Sequence, residues 1–278
     1  MKGRRWRTFR RNKTAMVGAG LVLAMVVMAL GADWFARFDP ETRQDAFRSP
    51  PNATYWLGTD ENGFDVFSRL VHGARASLWT AFAAVGFALV FGVPLGLIAG
   101  WRGGWIDSAI MRFVDLMLAF PSVLLAVAIA AVMDDSSLTT VILAVGIVLV
   151  PQFIRQVRAA VLQVRNLEYV AAARALGAGD AAILFRTVLP NCVAPILVLA
   201  TLSTGIAILD AAGLSFLGLG PPETSPEWGV MLTKAFRYLR HAEQWILLPP
   251  GLAISLTVLG FNLLGDGLRD AYDPRQSP

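Results

Sequence analysis

Few side chains in this sequence are equipped for chemistry, and each stands where its options are narrow. Asp210 lies in an otherwise uncharged stretch, TLSTGIAILDAAGLSF (201–216). A carboxylate in an apolar run is costly, and such groups commonly touch polar cargo or line a path. A helix end with water access is the other reading. The turn Thr59-Asp60-Glu61-Asn62-Gly63-Phe64-Asp65 offers carboxylates to a cation, but it lacks the alternating oxygen ligands of a calcium loop. Capping of its own backbone is the favoured use. His72 and His241 are the only histidines, and no H-E-x-x-H pair exists. The single cysteine, Cys192, allows neither an internal disulfide nor a cysteine-based metal centre. Lys2, Lys13 and Lys234 each follow a residue other than glycine, so the phosphate-binding loop G-x-x-x-x-G-K-[ST] is absent. The expectation is a chain that is not an enzyme and holds no metal or cofactor of its own.

The elements that carry these residues are set by composition. Hydrophobic residues make up 55 %, charged residues 16 %, and the mean hydropathy is +0.56, which excludes an ordinary soluble domain. A helix crossing the bilayer core needs roughly 20 apolar residues. Residues 78–100, 116–133, 136–154, 191–209 and 244–265 meet or approach that length without an internal charge, and 14–32 follows the basic N-terminus. Backbone polar groups must be satisfied within lipid, so these stretches are helices. The expected fold class is an all-α polytopic membrane protein with six transmembrane helices. Pro151, Pro195 and Asp210 strain the pattern in the fourth and fifth spans. The first span is read as a retained anchor rather than a cleaved export signal, because more spans follow it.

Basic residues orient the bundle. Lys2, Arg4, Arg5, Arg7, Arg10, Arg11 and Lys13 precede the first span, and Arg102 and Arg112 lie between the second and third. Arg155, Arg158, Arg165, Arg174 and Arg186 cluster around 165–190, and Arg269 and Arg275 follow the last span. These make up most of the 24 Lys and Arg, whereas Asp39, Glu41, Asp45, Asp60, Glu61, Asp65, Asp134, Asp135, Glu223, Glu227 and Glu243 fall on the opposite side. The positive-inside bias places both termini and residues 165–190 in the cytoplasm. It also accounts for the basic pI of about 9.6 without nucleic-acid binding. Segments 34–76 and 219–243, rich in Pro, Gly, Asp and Trp, read as ordered outer loops. They could receive a partner or simply seal the helix ends. Near the cytoplasmic ends, Asp115 is expected to pair with Arg112 and Asp266 with Arg269.

Two patterns bear on assembly. Gly92, Gly96 and Gly100 recur every four residues and form a smooth stripe suited to close helix packing, with Pro94 predicting a kink. The polar island 165–190, RNLEYVAAARALGAGDAAILFRTVLP, predicts two short helices meeting at a glycine joint. The first, 167–176, is Ala-rich and ends on a left-handed cap at Gly177. The second, 181–189, is expected to be capped by Asp180 and stopped by Pro190. A helix surfaced by alanine suits a neighbouring protein's groove better than a lipid surface.

This island resembles the cytoplasmic EAA loop of binding-protein-dependent ABC importers, in particular the second permease of the dipeptide/oligopeptide/nickel group. The family pattern is Glu-Ala-Ala, three residues, Gly, nine residues, Ile, one residue, Leu-Pro. Here it reads Ala171-Ala172-Ala173, Gly177, Thr187, Leu189-Pro190. The spacing is intact, while the Glu is Ala171 and the Ile is Thr187. Glu168 lies three residues earlier on the same helical face and is a candidate substitute. The blocks WLGTDENGFDVFSRLVHGARASL (56–78), GGWIDSAIMRFVDLMLAFPS (103–122), LSFLGLG (214–220), PEWGVML (226–232) and FNLLGDGLRDAYDP (261–274) also resemble the family, in order. Phe64 stands where an Arg is usual.

The resemblance implies the type I (MetI-like) ABC importer permease fold in a bacterial inner membrane. Residues 1–55 would form a basic lead, first span and outer segment, and 56–278 the transport core. It further implies a homologous permease as heterodimer partner, two cytoplasmic ATPases that bind ATP and Mg, and an external substrate-binding protein. Glu168, Ala171, Ala172, Ala173, Leu176, Gly177, Leu189 and Pro190 become the candidate ATPase-coupling residues, and Asp210 the candidate path residue. Peptides are the expected cargo, a nickel or metal chelate the alternative. A stand-alone channel is the rival class, and it gives the polar island no role.

Overall fold

The computed structural model describes residues 9–10, 12–133, 135–237 and 243–272. Lys2, Arg4, Arg5, Arg7, Arg11, Asp134, His241 and Arg275 lie outside the described residues. In chain order the helices are α1 (Lys13–Leu30), α2 (Ala32–Phe35), α3 (Val66–Arg102), α4 (Gly104–Leu118), α5 (Ser122–Met133) and α6 (Leu138–Val164). They continue with α7 (Glu168–Ala175), α8 (Asp180–Ile183), α9 (Leu189–Phe216), α10 (Trp228–Arg237) and α11 (Gln244–Tyr272). Side-chain caps fix several starts. Asn12 accepts from the Ala15 N–H for α1, Asp65 from the Ser68 N–H for α3, and Ser137 from the Thr140 N–H for α6.

Five helical segments are long and apolar enough to cross a membrane: α1, α3, α6, the stretch Asp180–Phe216 that ends in α9, and α11. The expected single span over 116–133 is corrected. Helices α4 and α5 meet there at a bend of 92°, and counting the pair as one span makes six. Pro121 supplies no N–H and disfavours the helical region at the preceding Phe120, and the apolar run breaks there although its composition is uninterrupted. Pro151 and Pro195, by contrast, lie inside continuous helices.

The bundle is built on α3 packed along α6, with α9 against both, α11 against α9, and α1 against α11. Its core is aliphatic, centred on fully buried Leu149, Phe153, Ile154 and Ile208. Asn12 Nδ2 donates to Asp270 Oδ2 at 2.9 Å, which ties the start of α1 to the end of α11. Both described ends therefore lie at one end of the bundle. Arg75 Nε donates to the Ala29 carbonyl at 3.1 Å, fixing the end of α1 beside the start of α3 at the other.

Candidate functional site

The polar island forms a compact elbow where α6 gives way to α9. After Val164 the chain turns, and Arg165 Nη1 donates to the Gly100 carbonyl at the end of α3 at 2.6 Å. Helix α7 ends as its sequence predicts. Gly177 has φ of +83°, its N–H reaches the Arg174 carbonyl at 3.0 Å, and the Ala178 N–H reaches the Ala173 carbonyl at 3.1 Å. That pair of bonds satisfies the orphan carbonyls of a Schellman C-terminus.

The second half of the elbow corrects two expectations. Gly179, not Asp180, precedes the first turn of α8, and no side chain caps it. Asp180 is instead the first helical residue, where its charge suits the helix dipole, and it lies 3.6 Å from Arg174 in an exposed ion pair. Pro190 does not stop the helix. A π-turn over Leu184–Val188 leads straight into α9. The wider i→i+5 turn suits the missing Pro190 N–H and its ring, which would crowd a regular preceding turn.

The elbow has a fixed face and a free face. Val170, Ile183 and Val188 are buried against Leu97, Val157, Val161 and Ile196 of the long helices. The Arg174 guanidinium lies 5.5 Å from the Trp101 ring of α3. Of the residues singled out by sequence, Glu168, Ala171, Ala172, Leu176 and Pro190 are exposed, while Ala173 and Leu189 are half-buried. Leu176 is 89 % exposed, and Phe185, which sequence reasoning missed, is 61 % exposed. Phe185 carries only a weak signal: an aromatic in an otherwise polar island, outside the matched motif positions.

Behind the elbow, the glycine stripe lies flush with α6. A Cβ on Gly92 would sit 2.5 Å from the Phe153 Cβ. One on Gly96 would sit 2.7 Å from both the Ile154 carbonyl oxygen and the Val157 Cβ, and one on Gly100 2.7 Å from the Val161 Cβ. Cross-links by charge accompany this seam. Arg158 of α6 binds Asp107 of α4 at 2.6 Å, and Arg155 binds Asp115 at 2.8 Å. Asp115 thus pairs across helices rather than with Arg112, and no ion pair forms between Asp266 and Arg269 among the described residues. Helix-to-helix reach decides these partners, which spacing along one helix does not report.

At the end away from the elbow, the loops are closed by buried polar groups that sequence reasoning passed over. Arg69 is 1 % exposed. Its Nη2 donates to the carbonyls of Glu223 and Ser225 at 3.1 and 2.5 Å, and its guanidinium lies 4.6 Å from the Phe64 ring. Glu227, also buried, accepts from the N–H groups of Gly229 and Val230 at 3.0 Å each and from Ser77 Oγ at 3.3 Å. Burial pushes its carboxyl above the ordinary range, against the lowering effect of those N–H groups. Asp60 accepts from the Asn62 and Phe64 N–H groups at 3.0 and 2.9 Å, the backbone capping favoured by the sequence. Asp210 is half-buried on α9 and has no polar partner among the described residues. It is well removed in sequence from the elbow, and nothing brings it to the elbow residues.

Comparison with known proteins agrees in fold and extent. The family described as binding-protein-dependent transport system inner membrane component matches residues 92–278. The N-terminal TM domain of oligopeptide transport permease C matches residues 3–52. The di/tripeptide transport system permease protein DppC of Pseudomonas aeruginosa is 48 % identical over 277 residues, 97 % of this chain and 91 % of that protein. The dipeptide transport system permease protein DppC of Alkalihalophilus pseudofirmus is 46 % identical over 275 residues, covering 97 % and 88 %. The glutathione transport system permease protein GsiD of Pectobacterium atrosepticum is 43 % identical over 272 residues, covering 97 % and 90 %. In fold the chain resembles a solved chain of the inward facing MetNI methionine ABC transporter, with a TM-score of 0.59 and 20 % identity over 74 % of this chain and 97 % of that one.

Proposed function

The chain belongs to the family of binding-protein-dependent transport system inner membrane components, and from that membership we propose that it is the second, C-type permease of an ATP-driven importer of di- or oligopeptides. It forms one half of the translocation path in a bacterial inner membrane, with six spans and both termini in the cytoplasm. A homologous permease supplies the other half, two cytoplasmic ATPases dock on the elbow, and an external binding protein delivers cargo. Peptide is favoured over a nickel or metal chelate because the relatives just described carry dipeptide, di/tripeptide and glutathione names. Residues 1–55 are the lead and first span, 56–278 the transport core.

The observation that carries this reading is the elbow, whose free face presents Leu176 and Phe185 while its other face is locked to three long helices. An exposed apolar tip on a fixed base suits a protein groove. Because the buried face of the elbow packs against α3, α6 and α9, a push on α7 is passed to these helices together. Glu168, Ala171, Ala172, Ala173, Leu176, Gly177, Leu189 and Pro190 are the coupling residues in this scheme, and Asp210 is a polar contact along the path.

The test is reconstitution. Co-expressed with a candidate second permease, ATPases and binding protein, the chain is expected to co-purify with the second permease and two ATPases, and in proteoliposomes to drive ATP-dependent peptide uptake. Full uptake without ATPase subunits, or ion conductance by this chain alone, would overturn the proposal. Binding of a nickel chelate but no peptide by the associated binding protein would overturn the peptide assignment alone.

A further inference from the structure

One polar feature has no part in the elbow. Gln152, Gln156, Ala159 and Gln163 recur at helical spacing on one face of α6, a helix otherwise apolar and largely buried. Gln156, Ala159 and Gln163 are exposed and Gln152 is half-buried. Among the described residues, none of the three amides has a hydrogen-bond partner. An amide facing hydrocarbon with no partner is penalised by several kcal/mol at the upper end of about 2–7 kcal/mol, so a lipid-facing ladder of three is a poor arrangement. Water, polar cargo or a polar surface of another chain would satisfy it.

Two rungs of the ladder, Gln156 and Gln163, open onto a cavity of about 710 Å³ between α6, α9 and α11, lined also by Leu199, Arg269 and Tyr272. That volume lies within the roughly 300–1,000 Å³ typical of small-ligand sites. The cavity sits at the elbow end, where α6 enters the elbow, α9 leaves it and α11 ends. Arg269 is the one charged residue among those described as lining it, and it has no ion pair among the described residues. Each glutamine amide both donates and accepts. A row of them therefore matches the repeating N–H and C=O of a peptide main chain whatever its side chains. A guanidinium matches a carboxylate. Uncharged amides also bind weakly enough to release cargo, as conduction requires.

We propose that Gln156 and Gln163 of α6, together with Arg269 of α11, line the elbow-side half of the translocation path and contact the main chain and C-terminal carboxylate of a peptide in transit. This assignment rests on the importer reading, and the experiments separate the two.

The assembled complex is prepared with the photo-crosslinking residue p-benzoylphenylalanine in place of Ala159 and loaded through its binding protein with tritiated dialanine. The label is expected on this chain, competed by unlabelled dialanine. Cross-linking to the partner permease alone would make the face an interface between permeases, and cross-linking to lipid alone would make it lipid-facing; either overturns the assignment. Gln156→Leu with Gln163→Leu is expected to lower dialanine uptake about tenfold, the loss of roughly one or two net hydrogen bonds, while the complex still co-purifies. Arg269→Gln is expected to lower it in the same direction. Wild-type uptake by the double variant would overturn the ladder's role. Because Cys192 is buried, Gln163→Cys also provides a single accessible thiol on this chain, read on its own gel band. It is expected to react with a water-soluble maleimide from the elbow side of the membrane, and absence of reaction would sink the path assignment even where uptake is normal. If the unaltered complex takes up no dialanine but Gln163→Cys is labelled, the peptide reading fails and the water-filled path stands.

Discussion

In the seam between α3 and α6, Gly92, Gly96 and Gly100 have ordinary helical backbones, and a Cβ on any of them would collide with the facing helix. In the elbow, Gly177 has φ of +83° and nothing within 4 Å of where a Cβ would stand. The same residue type thus answers two different demands. The seam needs small volume so that two backbones approach without a hydrophobic drive from solvent. The elbow needs a left-handed turn that other residues adopt only with strain. One region holds two helices in close contact; the other exposes a bent surface, which the proposed function assigns to the ATPases.

The comparison breaks first at the seam. Gly96→Leu places a branched side chain against a backbone carbonyl that has nowhere to move. It is expected to cost at least the roughly 1–3 kcal/mol of a typical overpacked core, and more here. The thermal midpoint of the purified protein in detergent reads this, and an unchanged midpoint would mean that the seam is not closely packed. Arg69→Met comes next. It removes the two charge-assisted hydrogen bonds to the Glu223 and Ser225 carbonyls at the far end of the bundle, at a cost of about 1–3 kcal/mol. Limited proteolysis should then cut within 219–227 sooner than in the unaltered chain.

Gly177→Val is expected to cost about 1–2 kcal/mol in local strain. Membrane insertion stays normal, while uptake and ATPase association fall sharply. Gly177→Asn, which tolerates the left-handed region, should restore most of both. Normal uptake by the Val variant would remove the joint from the mechanism. The smallest structural effect belongs to Leu176→Ala, within about 0.5 kcal/mol because the side chain touches little. Its effect should appear only as weaker retention of the ATPase subunits. A drop in stability comparable to that of Gly96→Leu would show the tip to be part of the packed body, and the contrast between the two regions would collapse.

The sequence made the elbow legible because its signals are local. An alanine run, a glycine where the turn must reverse and a polar composition between apolar spans act within a few residues of each other, and α7 with its Schellman end follows from them. The glycine periodicity likewise announced a packed face. The failures share another cause. Pro121 broke a run whose hydropathy is continuous, whereas Pro151, Pro195 and Pro190 left helices unbroken. Whether a proline ends a helix depends on what the neighbouring helices and turns offer the freed backbone group, and residue order does not carry that. Asp115 was assigned a partner on its own helix and found one on α6.

Sequence alone therefore determined the membrane class, the approximate spans, the elbow and the family, since apolar length, charge placement and short-range helix chemistry are properties of contiguous residues. Tertiary structure decided which face of each helix meets which neighbour. It buried Arg69 and Glu227 as closures of the far end. It also set the glutamine face of α6 against a cavity shared with α9 and α11. The reason is geometric: an amide or a charge acquires its role from the groups that stand opposite it, and for a helix in a bundle those groups come from distant parts of the chain.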